Sequence, residues 1–227
     1  MRVHVAFTPA EALPAGVAVV IDVMRATSTI VQALASGYRR VLCCGEIDEA
    51  RALRASLEES AVLAGERNAV LIEGFDLGAS PREFLEPRAE TVVMTTTNGT
   101  RAILTAASHC DTVLLGSLLN LDAAVGVAAR SGDDVTVVCA GFQGRFAIDD
   151  AYCAGRIVES LDGERTDAAV ASSVVARSFP NALDGLNART YGPPGLEQDL
   201  AWCSQVDTLD VVPRFSGMVG TAAEITL

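Results

Sequence analysis

The chain contains no lysine, so all 17 residues of the Lys and Arg class are arginine. This absence excludes Schiff-base chemistry, which needs a lysine amine, and the nucleotide-binding P-loop, whose motif includes a lysine. The sequence also has only two histidines, His4 and His109, and its six cysteines form no CxxC pair. A zinc cluster or a Cys–His catalytic pair is therefore poorly supported. Magnesium bound by oxygen ligands fits the composition better.

The sequence also lacks an apolar run of the roughly 20 residues that a membrane span needs. The N-terminus has no basic segment followed by an apolar core, so we expect a cytoplasmic protein without membrane contact. The formal net charge is −12 at pH 7. Because an acidic surface repels polyphosphate backbones, we do not expect nucleic acid as a partner. A small anionic substrate would have to be bound by local arginines.

Hydrophobic residues make up 50% of the 227 residues, and charged residues make up 20%. This balance is typical of a well-packed globular protein. Apolar, β-branched runs predict strands at 3–7, 17–22, 40–44, 62–64, 91–95, 112–115 and 135–139. Apolar residues at three-to-four spacing predict helices at 27–36, 47–58, 100–107, 121–131 and 149–161. Their alternation predicts an α/β fold with a mostly parallel sheet, helices on both faces and ligands at the carboxyl ends of the strands.

The pattern changes after residue 161. Short helices are predicted at 168–177, 181–187 and 195–203, and closing strands at 210–215 and 218–226. We therefore expect an α/β core over residues 1–161, with most of the active site, and a smaller C-terminal α+β portion over residues 162–227. A single undivided domain is the alternative. The sequence does not define the quaternary state, and a homo-oligomer is compatible with it.

The segment DVMRATST follows the apolar run that begins at Val17. It places Asp22 at the end of a strand and Arg25, Thr27 and Ser28 at a helix start, where anionic ligands bind in such sheets. A carboxylate among phosphate-binding groups indicates either a divalent cation between Asp22 and the phosphate or a carboxylate nucleophile. We expect metal ligation, because no second aspartate follows two residues later to act as the acid. The structural alternative is that Ser28 and Thr29 cap the helix and Asp22 pairs with Arg25.

The segment TTTNGTR follows another apolar strand. Gly99 permits backbone conformations that crowd other residues, and the helix start at Thr100 offers free N–H groups to a phosphate or sulfonate. Arg101 adds a fork of donors that matches oxyanions. We therefore predict a small-anion site that includes Thr97, Asn98, Gly99, Thr100 and Arg101.

Three more polar residues are expected on loops at the same sheet edge: Arg67, Ser80 and Asn120. Arg67 follows a short apolar strand and is a candidate oxyanion donor. Ser80 precedes a proline, so helix capping is its alternative role. Asn120 could likewise cap the helix that follows it.

The segment AGFQGRFAIDDAYCAG follows the predicted strand 135–139. Gly144 belongs to a flexible turn, and Arg145 is another oxyanion donor. Asp149 and Asp150 open a helix, where adjacent acids are often only favourable partners of the helix dipole. Beside a glycine loop at a strand end, they also suit magnesium.

The segments DVMRATSTI, AGERN, SPRE, TTTNGTRA, SLLN and AGFQGRFAIDDAYCAG, in this order, resemble the motifs of the 2-phosphosulfolactate phosphatase (ComB) family. The resemblance extends from about residue 17 to about residue 213 and is most specific in TTTNGTRA and FAIDD. It implies a magnesium-dependent phosphatase that converts 2-phospho-3-sulfolactate to 3-sulfolactate and phosphate, with a role in coenzyme M biosynthesis. Two departures concern Ala79, where the family commonly has asparagine, and Asp149, where it commonly has glutamate.

The residues and the resemblance together indicate hydrolysis of a phosphate monoester. Asp22, Asp149 and Asp150 would hold Mg²⁺. The expected catalytic residues are Asp22, Arg25, Asn98 and Arg101. The expected substrate-binding residues are Thr27, Ser28, Arg67, Ser80, Thr97, Gly99, Thr100, Asn120, Gly144 and Arg145.

The implied substrate carries phosphate, sulfonate and carboxylate groups, and arginines on four predicted loops suit such a trianion. We expect Arg101 to bind the phosphate and either Arg67 or Arg145 to recognise the sulfonate. Two alternatives are a phosphatase for another small phosphorylated hydroxy acid and a non-catalytic anion-binding module. The departures at Ala79 and Asp149 are the features on which the latter rests, whereas the arginines and acids needed for chemistry are still present together.

Overall fold

The computed structural model describes residues 1–14, 16–57 and 60–227. The strands are β1 (Arg2–Ala6), β2 (Val17–Ile21), β3 (Arg40–Cys43), β4 (Ala61–Arg67), β5 (Val70–Leu71), β6 (Thr91–Thr95), β7 (Thr112–Gly116), β8 (Val135–Cys139), β9 (Glu164–Arg165), β10 (Arg214–Val219) and β11 (Ala222–Thr226). The helices are α1 (Ala26–Ala35), α2 (Ile47–Leu57), α3 (Gly99–His109), α4 (Leu121–Ser131), α5 (Ile148–Ser160), α6 (Asp167–Arg177), α7 (Ala182–Asn187) and α8 (Glu197–Cys203). Short 3₁₀ turns cover Pro81–Phe84 and Leu118–Asn120.

The described strands form one eleven-stranded sheet in the order β5-β4-β6-β3-β11-β10-β7-β2-β8-β1-β9. Strand β2 is parallel to both neighbours, β7 and β8, and β6 is parallel to both β3 and β4. The hairpin of β10 and β11 is antiparallel. This mixed, mostly parallel sheet with interleaved helices confirms the predicted α/β class.

The central strand β2 is buried along its whole length, and its alternate side chains pack on opposite faces of the sheet. Val19 joins a core cluster with residues of α4, α5 and α6, whereas Val20 joins a second cluster with residues of α1 and α3. Burial of one such side chain contributes roughly 1.5 to 3 kcal/mol. A strand that is covered on both faces must be apolar throughout, which explains the uninterrupted run from Val17 to Ile21.

The strands and helices that were predicted for residues 1–161 are present, with ends that differ by a few residues. Residue 58, the last of the predicted helix 47–58, lies outside the described residues. The strands β5 and β9 were not predicted, because two-residue strands carry no periodic signal.

The two closing strands were predicted with the wrong bounds. Strand β10 begins at Arg214, after Pro213, and continues through Met218 to Val219; β11 begins only at Ala222. Proline has no N–H to donate to a ladder, so the predicted strand 210–215 could not start before it. Gly220, with φ of +62°, lies in the turn between the two strands.

The C-terminal hairpin lies inside the sheet, because β11 pairs with β3 and β10 pairs with β7. The last residues of the chain therefore join the two halves of the sheet. The division at residue 162 stays a prediction. In the described part of the chain, no helix has the length and apolar character that crossing a membrane requires.

Candidate active site

A cavity of about 310 Å³ opens beyond the carboxyl ends of β2, β4 and β6. This is the edge where open parallel sheets bind ligands. The cavity is lined by Asp22, Met24, Arg25, Ala26, Glu66, Asn68, Ala69, Ala79, Thr96, Thr97, Asn98, Phe142, Arg189, Tyr191, Gly192, Pro193 and Leu196.

Asp22 is the first residue after β2, and it is only 8% exposed. Its Oδ1 accepts a hydrogen bond from the backbone N–H of Ala26 at 3.2 Å. Burial, and next the negative charge of Glu66, raise the pKa of Asp22 to about 7. Such a carboxylate favours a cation or a proton beside it.

Gly99 packs directly against Asp22. A Cβ atom on Gly99 would lie 2.6 Å from Oδ2 of Asp22 and 2.4 Å from Cβ of Ala26. Neither distance is compatible with a side chain, so the glycine of the NGT sequence allows α3 to begin beside the carboxylate. The N-terminal end of a helix carries partial positive charge, which also favours anions at this point.

Asp149 and Asp150 lie in the first turn of α5 and are almost completely buried. Burial raises the pKa of both residues, and the charges of Asp149 and Asp22 raise that of Asp150 further. Asp150 accepts hydrogen bonds from the backbone N–H groups of Val23 at 2.9 Å and Gly141 at 3.0 Å. It therefore joins the segments that follow β2 and β8. Asp149 accepts a hydrogen bond from the hydroxyl group of Tyr191.

The fit of a metal ion depends on these carboxylates. Within residues 1–14, 16–57 and 60–227, no group of three or more His, Cys, Asp or Glu side chains is placed to hold a metal ion by itself. Magnesium often binds through only one or two carboxylates, together with water and substrate phosphate oxygens. Asp22 and Asp149 supply hard oxygen donors of that kind, although only Asp22 of the two lines the cavity. Oδ1 of Asp149 and both carboxylate oxygens of Asp150 already accept hydrogen bonds. The donor set is therefore compatible with a two-carboxylate magnesium site.

Arg25 lines the cavity from the segment that links β2 to α1. Its Nη1 donates to Oδ2 of Asp199 at 2.5 Å, and its Nη2 donates to the carbonyl oxygen of Ala69 at 3.3 Å. Oδ1 of Asp199 accepts a hydrogen bond from Oγ of Ser80 at 2.6 Å. Asp199, on α8, thus joins two residues that the sequence predicted for the site.

The loop after β6 contributes Thr97 and Asn98. Glu66 accepts hydrogen bonds from the backbone N–H of Thr97 at 2.7 Å and from that of Ala69 at 2.6 Å. Oδ1 of Asn98 accepts the backbone N–H of Gln143 at 3.0 Å. The loops after β4, β6 and β8 are therefore hydrogen-bonded to one another around the cavity.

The structure thus brings together several residues that the sequence predicted separately. Asp22, Arg25, Thr97 and Asn98 line the cavity, and Gly99 contacts Asp22.

Other predicted residues hold the backbone of these loops. Oγ1 of Thr27 donates to the carbonyl oxygen of Asp22 at 3.0 Å, and Oγ of Ser28 donates to that of Val23 at 2.8 Å. Oγ1 of Thr100 donates to the carbonyl oxygen of Thr96 at 3.2 Å. Each hydroxyl stabilises the turn between its strand and helix. A direct contact between these side chains and a substrate stays a prediction.

Three of the four arginines that were expected to bind the substrate lie outside the cavity lining. Arg67 is partly buried and donates to Oγ1 of Thr95 at 3.0 Å. Arg101 lies on the surface, 2.9 Å from Glu46. Arg145 is exposed, as is Gly144 beside it. Their predicted roles in substrate binding stay predictions.

Asn120 is also not one of the residues that line the cavity. It forms a capping box with Ser117, and its Nδ2 donates to the carbonyl oxygens of Leu115 at 3.2 Å and Val211 at 2.9 Å. Its side chain makes no cap hydrogen bond to α4, so the predicted cap of the following helix is wrong, and the capping box stabilises the preceding short turn Leu118–Asn120 instead.

The segment between α7 and α8, which was not predicted as part of the site, forms one wall of the cavity. Arg189 and Tyr191 belong to this wall, and the ring of Tyr191 stacks on Phe142 with ring centroids 4.1 Å apart. The available signal was an arginine and a tyrosine next to the Gly192–Gly195 turn, which contains two prolines. That pattern is too common in surface loops to indicate a site.

Comparison with known proteins shows the family to which the chain belongs. A family described as 2-phosphosulpholactate phosphatase matches residues 4–217. A Caldanaerobacter subterraneus protein with the name "probable 2-phosphosulfolactate phosphatase" is 39% identical over 219 residues, which cover 91% of this chain and 90% of the relative. Relatives of the same name from Symbiobacterium thermophilum and Thermus thermophilus are 40% and 38% identical, and they cover 92% and 98% of this chain and 94% and 98% of their own lengths. The chain belongs to the 2-phosphosulfolactate phosphatase family, a family of phosphoric monoester hydrolases.

Proposed function

We propose that this protein hydrolyses 2-phospho-3-sulfolactate to 3-sulfolactate and phosphate, and that the reaction depends on Mg²⁺. One observation carries the proposal: the buried carboxylate of Asp22 faces the same cavity as Arg25 and Arg189. A carboxylate with a raised pKa beside arginines is an arrangement that suits a metal ion and a polyanionic substrate together. The names of the relatives support this choice of substrate.

Asp22 and Asp149 are the proposed magnesium ligands. When bound, Mg²⁺ supplies positive charge to the phosphoryl oxygens and a position for the attacking water. Asp150 positions the loops, since its two oxygens accept the N–H groups of Val23 and Gly141, and its part as a third magnesium ligand stays a prediction. Direct attack of Asp22 on phosphorus remains the alternative mechanism, and it would produce an acyl phosphate.

The remaining lining residues would bind and orient the substrate. Arg25 has a guanidinium group at the cavity, and oxyanions bind well to such a fork of donors. Asn98 and the start of α3 at Gly99 add polar groups and the positive end of a helix dipole. Phe142, Pro193 and Leu196 provide apolar walls that exclude water from the charged groups.

The direct test is phosphate release from 2-phospho-3-sulfolactate by the purified protein. We expect turnover with Mg²⁺, no turnover after chelation with EDTA, and full recovery when Mg²⁺ is restored. Undiminished turnover after exhaustive chelation would contradict the magnesium requirement. Trapping of a phosphorylated Asp22 in a rapid-quench experiment would favour the nucleophilic mechanism over metal ligation.

A second candidate function is hydrolysis of another small phosphorylated hydroxy acid. Ala79 favours this alternative, because it lines the cavity at the position where the family commonly has asparagine. The substrate panel should therefore include 2-phospholactate and phosphoglycolate. A kcat/KM that is higher for either compound than for phosphosulfolactate would select the second candidate. The role in coenzyme M biosynthesis stays a prediction.

A further inference from the structure

Arg189 contains a buried polar atom without a partner. Its Nη1 is inaccessible, and among the described residues it has no hydrogen-bond partner. The same residue lines the cavity. Most buried polar groups in folded proteins are hydrogen-bonded, because an unsatisfied donor loses its hydration without compensation. A buried guanidinium nitrogen without a hydrogen-bond partner, on a residue that lines a cavity, therefore points to an anionic ligand.

The charge of Arg189 also differs from that of the other arginine in the cavity. Arg25 forms a close ion pair with Asp199, which neutralises much of its charge. For Arg189, no carboxylate of residues 1–14, 16–57 or 60–227 lies within 4.0 Å of the guanidinium group. Against the effect of burial, the charge of Arg189 lowers the pKa of Asp149, but unlike Arg25 this residue is not held in a close ion pair.

The segment that carries Arg189 is held in place by two contacts of Tyr191. Two residues further along the chain, the ring of Tyr191 stacks on Phe142, and its hydroxyl group donates to Asp149. The chain next turns through Gly192, whose φ is +95°, and through two prolines that restrict the backbone. An arginine on such a segment is held near its binding position, so less entropy is lost when a ligand binds.

We propose that Arg189 is a specificity-determining residue that binds an oxyanion of the substrate through its guanidinium group. The inference rests on the proposed function for the identity of the substrate, but the anion site itself does not depend on turnover. A phosphate or a sulfonate group could supply the oxyanion, since both present oxygens that match the guanidinium fork. In the sulfonate case, Arg189 takes the role that the sequence offered to Arg67 or Arg145.

The test compares the wild type with Arg189→Gln by titration calorimetry, with orthophosphate and methanesulfonate as separate probes. We expect the Kd for at least one probe to rise roughly tenfold to a hundredfold, as for loss of a charge-assisted contact. A selective loss of methanesulfonate binding assigns Arg189 to the sulfonate, and a selective loss of phosphate binding assigns it to the phosphoryl group. The matched control is Arg130→Gln, which removes the same charge from an exposed position on α4.

The inference is overturned if both probes bind folded Arg189→Gln with a Kd within about twofold of the wild type, against the roughly tenfold expected minimum. Arg189→Lys keeps the charge but loses the fork, so its Kd should rise by at least roughly threefold. If the glutamine variant does not fold, the lysine variant decides alone, and an unchanged Kd overturns the inference.

Kinetics separate this inference from the proposed function. If the wild type binds anions through Arg189 but releases no phosphate from phosphosulfolactate, the proposed function fails and the anion site stands. If the wild type turns over phosphosulfolactate and Arg189→Gln has the same kcat/KM and the same Kd values, the anion site fails and the function stands.

Discussion

Nη1 of Arg25 lies 2.5 Å from Oδ2 of Asp199, and the two side chains are only 9% and 7% exposed. This buried ion pair joins the segment after β2 to α8, which are 174 residues apart in the chain. Arg25 lines the cavity and Asp199 does not, so the pair fixes a cavity residue through a contact outside the lining. Asp199 is therefore a positioning residue for Arg25.

Replacement of Asp199 by alanine should lower the free energy of unfolding by about 3 to 5 kcal/mol, because it leaves the guanidinium group of Arg25 buried without its partner. Denaturant unfolding measures this change. Glu46→Ala is the matched control, since it breaks the exposed pair with Arg101 and should cost about 1 kcal/mol or less. Equal losses in the two variants would contradict the positioning role.

A double variant separates stability from activity at this pair. Arg25→Met combined with Asp199→Leu removes both charges, so it should recover much of the stability that Asp199→Ala loses. The phosphatase activity of the double variant should be far below that of the wild type, because its cavity lacks the Arg25 guanidinium group. Full activity in the double variant would remove Arg25 from the site.

Replacement of Gly99 by alanine should destabilise the protein by about 1 to 3 kcal/mol, because the added methyl group collides with Ala26 and Asp22. The displaced carboxylate should also lower kcat. Gly126→Ala on α4 is the control, since its Cβ would meet only the flexible side chain of Arg130, at 3.2 Å. Thermal unfolding and steady-state kinetics of both variants test the prediction, which fails if Gly99→Ala behaves like Gly126→Ala.

The raised pKa of Asp22 predicts a pH dependence of stability in the presence of EDTA. An aspartate in an unfolded chain titrates near 3.9, whereas burial and Glu66 raise the pKa of Asp22 in the folded state to about 7. Between these values the folded protein retains a proton that the unfolded chain has released. Asp22 should therefore lower the free energy of unfolding by roughly 1.4 kcal/mol for each pH unit in that window, and no further above it.

The variant Asp22→Asn tests this relationship, because an amide cannot ionise. Its stability relative to the wild type should increase from pH 4 to pH 7 in EDTA and then level off. Added Mg²⁺ should raise the Tm of the wild type above pH 7 much more than that of the variant, since the ion would bind the ionised carboxylate. A constant difference between the two proteins at every pH would show that Asp22 does not titrate in this range.

Arg101→Ala should change kcat/KM by less than about threefold, because the side chain is 59% exposed and pairs with Glu46 outside the cavity lining. The motif TTTNGTR predicts the opposite, a large loss from a missing phosphate contact. Steady-state kinetics on phosphosulfolactate decide between them. A loss of tenfold or more would restore Arg101 to the site.

The amino-acid sequence alone determined the α/β class, since strand and helix periods are local properties of the chain. It also placed Asp22, Thr97 and Asn98 at one edge, because the carboxyl ends of parallel strands meet there. Gly99 was also predicted to be a special position, because the backbone freedom of glycine is a local property of the chain.

The tertiary structure decided which charged side chains meet in the cavity. Arg101 follows the NGT turn directly but lies on the surface beside Glu46, whereas Arg189 reaches the cavity from a segment about 90 residues further along the chain. Asp199 and Tyr191 likewise come from the C-terminal portion and contact Arg25 and Asp149. The direction of a side chain at a helix start depends on packing against distant elements, and local periodicity carries no information about those contacts.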